Sequence, residues 1–188
     1  ECLRGIFSNN VSFFPAGRPC LCLLDLRTIY PSQVIVNKAS FSTLALRAPM
    51  LQNLDSLGYH QMTTIQAHSL PAILEGRDLI AQAKTGSGKT AAFGLGILHH
   101  LNPSWFAVQA LVLCPTRELA DQVAKELRRL ARCMDNIKVL TLCGGSPMGP
   151  QIGSLEHGAH IVVGTPGRIV DHLSRGSLDL KGIRTFVL

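Results

Sequence analysis

The chain has 188 residues, of which 46% are hydrophobic and 16% are charged, a balance that is rich for a soluble protein but not membrane-like. No stretch reaches the roughly 18 uninterrupted apolar residues of a membrane span, so we expect one domain with a sizeable core and no membrane partner. The net charge of +6 fits a polyanionic partner without requiring one.

The first part of the chain, residues 1–38, shows no clear helical or strand period. We therefore predict an irregular extension there that lies outside the domain. The pattern becomes regular near Phe41, and we assign residues 39–188 to the domain.

Two helices are predicted next. The segment "PMLQNLDSLGY" has a proline at a helix start and Gly58 at a helix end. The segment "TTIQAHSLPAILEGR" is typical of a helix that a threonine caps, that Pro71 interrupts and that Gly76 closes.

Short apolar strands then alternate with amphipathic helices. This alternation predicts an α/β fold, a mostly parallel sheet with helices on both faces. The predicted strands are 78–83, 109–114, 138–143, 160–164 and 183–188, and the predicted helices are 88–101, 117–132, a weak one before 160, and 167–175.

A glycine-rich loop, "AKTGSGKT" (83–90), follows a predicted strand and opens a predicted helix. It fits the phosphate-binding P-loop pattern except that Ala83 stands at the first glycine position. Gly86 and Gly88 let the backbone curl so that its N–H groups and the helix N-terminus face a phosphate. Lys89 can reach the phosphates, and the hydroxyl of Thr90 can bind Mg²⁺. The loop predicts nucleotide binding.

A P-loop occurs in several protein families, and four further motifs distinguish among them. They are "GYHQMTTIQ" (58–66), "PTRELA" (115–120), "GG" (144–145) and "TPGR" (165–168). In this order and spacing, residues 41–188 resemble the first RecA-like domain of the DEAD-box RNA helicases. Within that family, the segments around the P-loop and "PTRELA" look most like the bacterial DbpA group. The resemblance implies an ATP-dependent RNA helicase that unwinds short RNA duplexes, and in the DbpA group one that acts on large-subunit ribosomal RNA.

The resemblance also implies an ATP site with Mg²⁺. Gln66 would read adenine, because an amide both donates and accepts hydrogen bonds, as the adenine edge requires. Phe41 would support the adenine, and Met62 replaces the usual proline of this motif. Lys89 and Thr90 would be catalytic, with Thr90 on the metal. The implied nucleotide-binding residues are Phe41, Gln66, Ala83, Lys84, Thr85, Gly86, Ser87, Gly88, Lys89 and Thr90.

The RNA-facing segments of the family correspond to "PTRELA", "GG" and "TPGR". Arg117 and Arg168 would grip phosphates, which fixes register without reading sequence. A purely structural role is the alternative, with Thr116 as a helix cap and Pro166 as a helix start, and both roles can hold together. The implied RNA-binding residues are Pro115, Thr116, Arg117, Gly144, Gly145, Thr165, Pro166, Gly167 and Arg168. A monomer is expected.

The closing segment "RTFVL" (184–188) corresponds to the strand that, in the family, leads directly into Asp-Glu-Ala-Asp. We therefore expect a RecA-like domain that is incomplete at its C-terminal end, binds ATP weakly and hydrolyses none. In such folds the P-loop strand lies between two strands that come later in sequence. We accordingly expect residues 78–83 to lack both neighbours.

Two other functions stay open from the residues: a P-loop enzyme that acts on a small molecule, and a natural ATP- or RNA-binding module without catalysis. The six cysteines form no CxxC pair, which favours free thiols in a reducing cytoplasm. In "HGAH" (157–160) a second ligand pair is missing, so we favour a loop and a strand start over a metal site.

Overall fold

A central sheet with helices on both faces organises the chain in a computed structural model that describes residues 10–15 and 39–188. Within those residues the strands are β1 (Asn10–Pro15), β2 (Leu79–Gln82), β3 (Ala110–Leu113), β4 (Val139–Leu142), β5 (Ile161–Gly164) and β6 (Thr185–Val187). The helices are α1 (Ala48–Ser56), α2 (Thr64–Leu74), α3 (Lys89–His100), α4 (Arg117–Leu130), α5 (Met148–Glu156) and α6 (Pro166–Ser174). Short 3₁₀ helices occupy Phe41–Thr43 and Ala131–Cys133.

The strand order across the sheet is β2-β1-β6-β3-β5-β4. The four strands β6, β3, β5 and β4 run parallel, and Val112 in β3 lies opposite Val163 in β5 and Val187 in β6. Because β1 is antiparallel to both β2 and β6, the P-loop strand β2 points in the same direction as the parallel group. The predicted α/β class with a mostly parallel sheet is confirmed.

The prediction of an irregular N-terminal extension is wrong for residues 10–15, which form β1. Asn10 to Phe13 pair with β2, and Phe13 to Pro15 pair with β6. A six-residue segment is too short to show a clear period, and its extended conformation depends on backbone partners that are distant in sequence. The rest of the predicted extension, residues 1–9 and 16–38, lies outside the described residues, and the boundary at residue 39 stays a prediction.

Pairing with β1 also corrects the expectation that the P-loop strand lacks both neighbours. β2 is bonded to β1 along one side and, among the described residues, forms the end of the sheet on the other. Ile80 at this edge is 54% exposed. One open edge therefore remains instead of two.

The prediction that Pro71 interrupts the second helix is wrong. α2 runs through it from Thr64 to Leu74. The missing proline N–H removes one intrahelical bond, while the carbonyl of Pro71 still accepts from the N–H of Glu75 at 3.1 Å. The predicted ends are confirmed, since Thr63 caps the helix and Gly76 follows it with a φ of 73°.

Two apolar clusters cover the two faces of the sheet. Ala110 and Val112 of β3 belong to the larger cluster with α1 to α4, whereas Leu111 between them belongs to a smaller one with Ile169 of α6. This alternation follows from the two-residue period of a strand. The helices thus bury both faces and hold the carboxyl ends of the strands at one edge.

Candidate functional site

The glycine-rich loop connects the carboxyl end of β2 to the start of α3, as the sequence predicts. Gly86 and Gly88 have φ values of 78° and 91°, a left-handed conformation that glycine adopts without strain. Gly88 is the N-cap of α3, and the first turn of this helix carries no acidic residue. The N–H groups and the positive end of the helix dipole therefore meet at an edge suited to an anion.

Two polar side chains in the loop have hydrogen-bonding positions that a phosphate ligand would satisfy. The ammonium of Lys89 donates to the backbone carbonyls of Ala83 and Lys84, the latter at 3.1 Å. The hydroxyl of Ser87 is buried and finds no hydrogen-bond partner among the described residues. A bound phosphate would satisfy this hydroxyl and would offer Lys89 a charged partner in place of neutral carbonyls. The loop therefore fits the predicted nucleotide.

Gln66 joins the start of α2 to this loop. Its side-chain oxygen accepts from the N–H of Thr63 at 2.9 Å, and its amide nitrogen donates to the carbonyl of Gly88 at 3.1 Å. The residue is 1% exposed. These two bonds use half of the amide's four hydrogen-bonding positions, and the contact of this buried amide with adenine stays a prediction.

The other predicted adenine residue, Phe41, lies in the core. It is 3% exposed and packs edge-on against Tyr59, with ring centroids 6.3 Å apart. Its support of an adenine ring stays a prediction. Met62, which replaces the usual proline, uses its N–H to donate to the carbonyl of Ala39 at 2.9 Å, a bond that proline cannot make.

Three loops meet at the carboxyl ends of β3, β4 and β5 around an open cavity of about 550 Å³. This is the edge where ligands bind in open α/β sheets. Seven of the nine predicted RNA-binding residues line the cavity: Pro115, Thr116, Arg117, Gly144, Thr165, Gly167 and Arg168. Glu118 and Asp171 also line it, and the sequence reasoning did not include them.

Arg117 lies against the glycine pair. A Cβ on Gly145 would be 2.6 Å from Cζ of Arg117, and Gly145 has a φ of 84°. Gly145 therefore makes room for the guanidinium of Arg117. The predicted cap is also present, because Thr116 accepts from the N–H of Leu119 at 3.3 Å. Glu118 follows Arg117 in the chain. Hydrogen bonds from its own backbone N–H and from the side chain of Thr116 lower the pKa of its carboxyl group.

Arg168 lies deeper in the cavity wall, with a side chain that is 11% exposed. Its Nη1 donates to the carbonyl of Ser146 and to Oε1 of Gln151, both at 3.0 Å. Its Nε is buried without a hydrogen-bond acceptor among the described residues, although Oδ2 of Asp171 lies 3.9 Å away. Neutral acceptors thus hold Nη1, and the nearby carboxylate of Asp171 is 60% exposed to solvent, which weakens its pairing with the guanidinium. Pro166, predicted with it, begins α6 and does not line the cavity.

Sequence reasoning missed the residues that hold Arg168. Gln151 lies on the weak helix, and His172 is 0% exposed on α6. Nε2 of His172 lies 2.9 Å from Oε1 of Gln151. One signal was available for His172: it stands three residues after the buried Ile169, so a polar residue occupies the apolar face of an amphipathic helix.

The "HGAH" segment forms a loop that leads into β5, as the sequence predicts. His160 is 0% exposed, accepts from the N–H of Lys138 and lies 3.0 Å from the carbonyl of Pro103. Within residues 39–188 no three His, Cys, Asp or Glu residues come together as a metal-binding group. No helix in the described part of the chain has the length and apolarity to cross a membrane.

The sequence matches the DEAD/DEAH box helicase family over residues 63–188. It is 61% identical over 150 residues to the ATP-dependent RNA helicase DbpA of Escherichia coli K12, a match that covers 79% of this chain and 33% of the relative. It is 48% identical over 151 residues to the ATP-dependent RNA helicase DeaD of the same strain, covering 80% of this chain and 24% of the relative. The chain therefore spans a third or less of the length of these curated relatives.

Solved structures with the same fold are similar to this chain. A DEAD box protein from the hyperthermophile Methanococcus jannaschii has a TM-score of 0.71 and 40% identity, over 77% of this chain and 39% of that one. The protein Dbp5 of S. cerevisiae, bound to RNA and ADP BeF3, has a TM-score of 0.69 and 33% identity, over 77% and 36% of the two chains.

Proposed function

This chain belongs to the DEAD/DEAH box helicase family, and from that membership we propose that it binds ATP at residues 83–90 and the RNA backbone at the cavity between β3, β4 and β5. The whole protein is then an ATP-dependent RNA helicase that unwinds short duplexes. The observation that carries the proposal is the convergence of seven predicted RNA-binding residues on one cavity. This cavity and the phosphate loop lie at the same edge of one sheet.

The ATP part of the proposal assigns three roles. Lys89 holds the phosphates as a point charge, Thr90 provides a hydroxyl ligand for Mg²⁺, and Gln66 selects adenine with its remaining donor and acceptor. When Mg²⁺ is bound, it would neutralise part of the negative charge of the phosphates. The buried, unpartnered hydroxyl of Ser87 supports the proposal, because a phosphate oxygen there would give it a partner.

The RNA part rests on two arginines with different settings. Arg117 is exposed beside Gly145, whereas Arg168 is mostly buried and held by neutral acceptors. Both keep a positive charge available for phosphates, so we expect binding that depends on salt and is indifferent to base sequence. We propose large-subunit ribosomal RNA as the target, which is what the resemblance of the sequence motifs to the DbpA group implies. We further propose that the protein is a monomer and that it lies in the cytoplasm. The free cysteines Cys114, Cys133 and Cys143 fit that compartment, because thiols stay reduced there.

The test measures both ligands on the purified chain. Binding of a fluorescent ATP analogue is followed by titration in the presence of Mg²⁺, and binding of a labelled oligouridylate is followed by anisotropy at several salt concentrations. We expect saturable binding of each, with RNA affinity that falls as salt rises. Absence of ATP binding, or RNA binding that is unaffected by salt, would contradict the proposal.

A further inference from the structure

A chain of hydrogen bonds leads from the cavity to the buried end of α6. Oε1 of Gln151 lies 3.0 Å from Nη1 of Arg168 and 2.9 Å from Nε2 of His172. The amide nitrogen of Gln151 donates to the carbonyl of Cys143 at 3.1 Å, directly before the glycine pair. Nδ1 of His172 lies 2.8 Å from the hydroxyl of Ser177.

The donors in this hydrogen-bond chain identify Nε2 as the donating nitrogen of the histidine. Arg168 can only donate, so the atom of Gln151 that faces it is the oxygen, and this agrees with the amide nitrogen facing the Cys143 carbonyl. His172 must then donate from Nε2. Burial lowers the pKa of His172, and nearby Arg168 lowers it further. The Ser177 hydroxyl lies 2.8 Å from Nδ1 and 3.1 Å from the backbone carbonyl of His172, so it holds the other side of the ring.

We propose that Gln151 and His172 are positioning residues for RNA binding: together they orient the guanidinium of Arg168 in the cavity wall through a neutral acceptor, the side-chain oxygen of Gln151. This inference rests on the proposed RNA site. Neither residue lines the cavity, so each acts on RNA through Arg168.

The choice of neutral partners is the physical reason for this arrangement. A carboxylate at the position of Gln151 would be a second acid beside Arg168, after Asp171, and would compete with a phosphate for the guanidinium. A glutamine oxygen avoids this, but an amide can rotate and present its NH₂ group instead. The hydrogen bond from His172 stabilises the orientation in which the oxygen faces Arg168.

The test is a double-mutant cycle on the full chain, with affinity for a labelled oligouridylate as the readout. R168A should weaken binding about tenfold through loss of one phosphate contact. H172L, which removes the donor but keeps an apolar side chain, should weaken it about fivefold in the wild-type background and not at all in the R168A background. H172Q places a donor near the position of Nε2 and should restore most of the affinity.

A matched control comes from His160, which is equally buried and lies outside the cavity. H160L should lower thermal stability as much as H172L does, without changing RNA affinity. This control separates positioning from general destabilisation. If H172L does not fold, Q151M takes its place in the cycle, because Gln151 lies on a helix with no buried residues and methionine has a similar length.

The outcomes separate this inference from the proposed function. If R168A weakens binding and H172L or Q151M does not, or if their effects persist unchanged in the R168A background, the positioning role is refuted and the RNA site stands. If R168A itself leaves RNA affinity unchanged, the assignment of the RNA site is wrong, and the positioning role is refuted with it.

Discussion

The amide nitrogen of Gln66 donates to the carbonyl of Gly88 at 3.1 Å, across 22 residues of sequence. This bond joins the residue predicted to read adenine to the last residue before α3. A substitution of Gln66 would therefore remove a bond to the phosphate loop as well as the predicted adenine contact.

The first prediction concerns base selection. The wild-type chain should bind ATP and dATP more tightly than GTP, because guanine presents two acceptors to an amide that has one of each group to offer. Gln66→Leu should remove that preference and should lower the free energy of unfolding by about 1 kcal/mol, since the residue also completes the helix cap with Thr63. Competition of GTP against a fluorescent ATP analogue measures the preference, and wild-type binding of GTP equal to that of ATP would contradict the assignment.

The second prediction concerns the loop lysine. Lys89→Ala should reduce ATP affinity by tenfold or more, because a charge-assisted contact to phosphate is lost. Lys181→Ala is the matched control, since the ammonium side chain of Lys181 is 92% exposed and lies outside the loop. Equal ATP affinities of the two variants would mean that residues 83–90 are not the site.

Sequence reasoning was sound where the determining contacts are local. The strand–loop–helix around Lys89 and the caps at Thr63 and Thr116 each depend on residues within a few positions of one another. Sequence reasoning was incomplete where segments that are distant in the chain come into contact. The bond between Gln151 and His172 spans 21 residues, and the conformation of β1 depends on β2 and β6 far along the chain.

The third prediction concerns the glycine pair. Gly145→Ala should weaken RNA binding, because a Cβ there would displace Arg117 and strain a backbone at a φ of 84°. Gly149→Ala is the control, since a Cβ there would meet nothing within 4 Å and Gly149 does not line the cavity. Anisotropy with a labelled oligouridylate should show a loss for Gly145→Ala alone. Similar affinities of the two variants would argue against a role of Gly145 in seating Arg117.

The fourth prediction concerns pH. Burial lowers the pKa values of His160 and His172 below the ordinary value of about 6.5, so the unfolded chain binds protons that the folded chain does not. The free energy of unfolding should therefore decrease as the pH falls below about 6.5, by at most about 1.4 kcal/mol per pH unit for each histidine. Urea unfolding between neutral and mildly acidic pH measures this slope. His172→Gln should have a smaller slope than the wild type, and an unchanged slope would show that His172 is protonated equally in both states.

The last prediction concerns β1. This strand is bonded to β2 on one side and to β6 on the other, so it connects the P-loop strand to the parallel group. Removal of residues 1–38 leaves both partner strands with unpaired backbone groups, which costs stability and creates edges that other chains can pair with. We expect residues 39–188 alone to unfold at a lower temperature than the 188-residue chain and to form larger species in size-exclusion chromatography. A shortened chain that is monomeric and equally stable would show that β1 contributes nothing to the sheet, and the P-loop strand would then be supported by its helices alone.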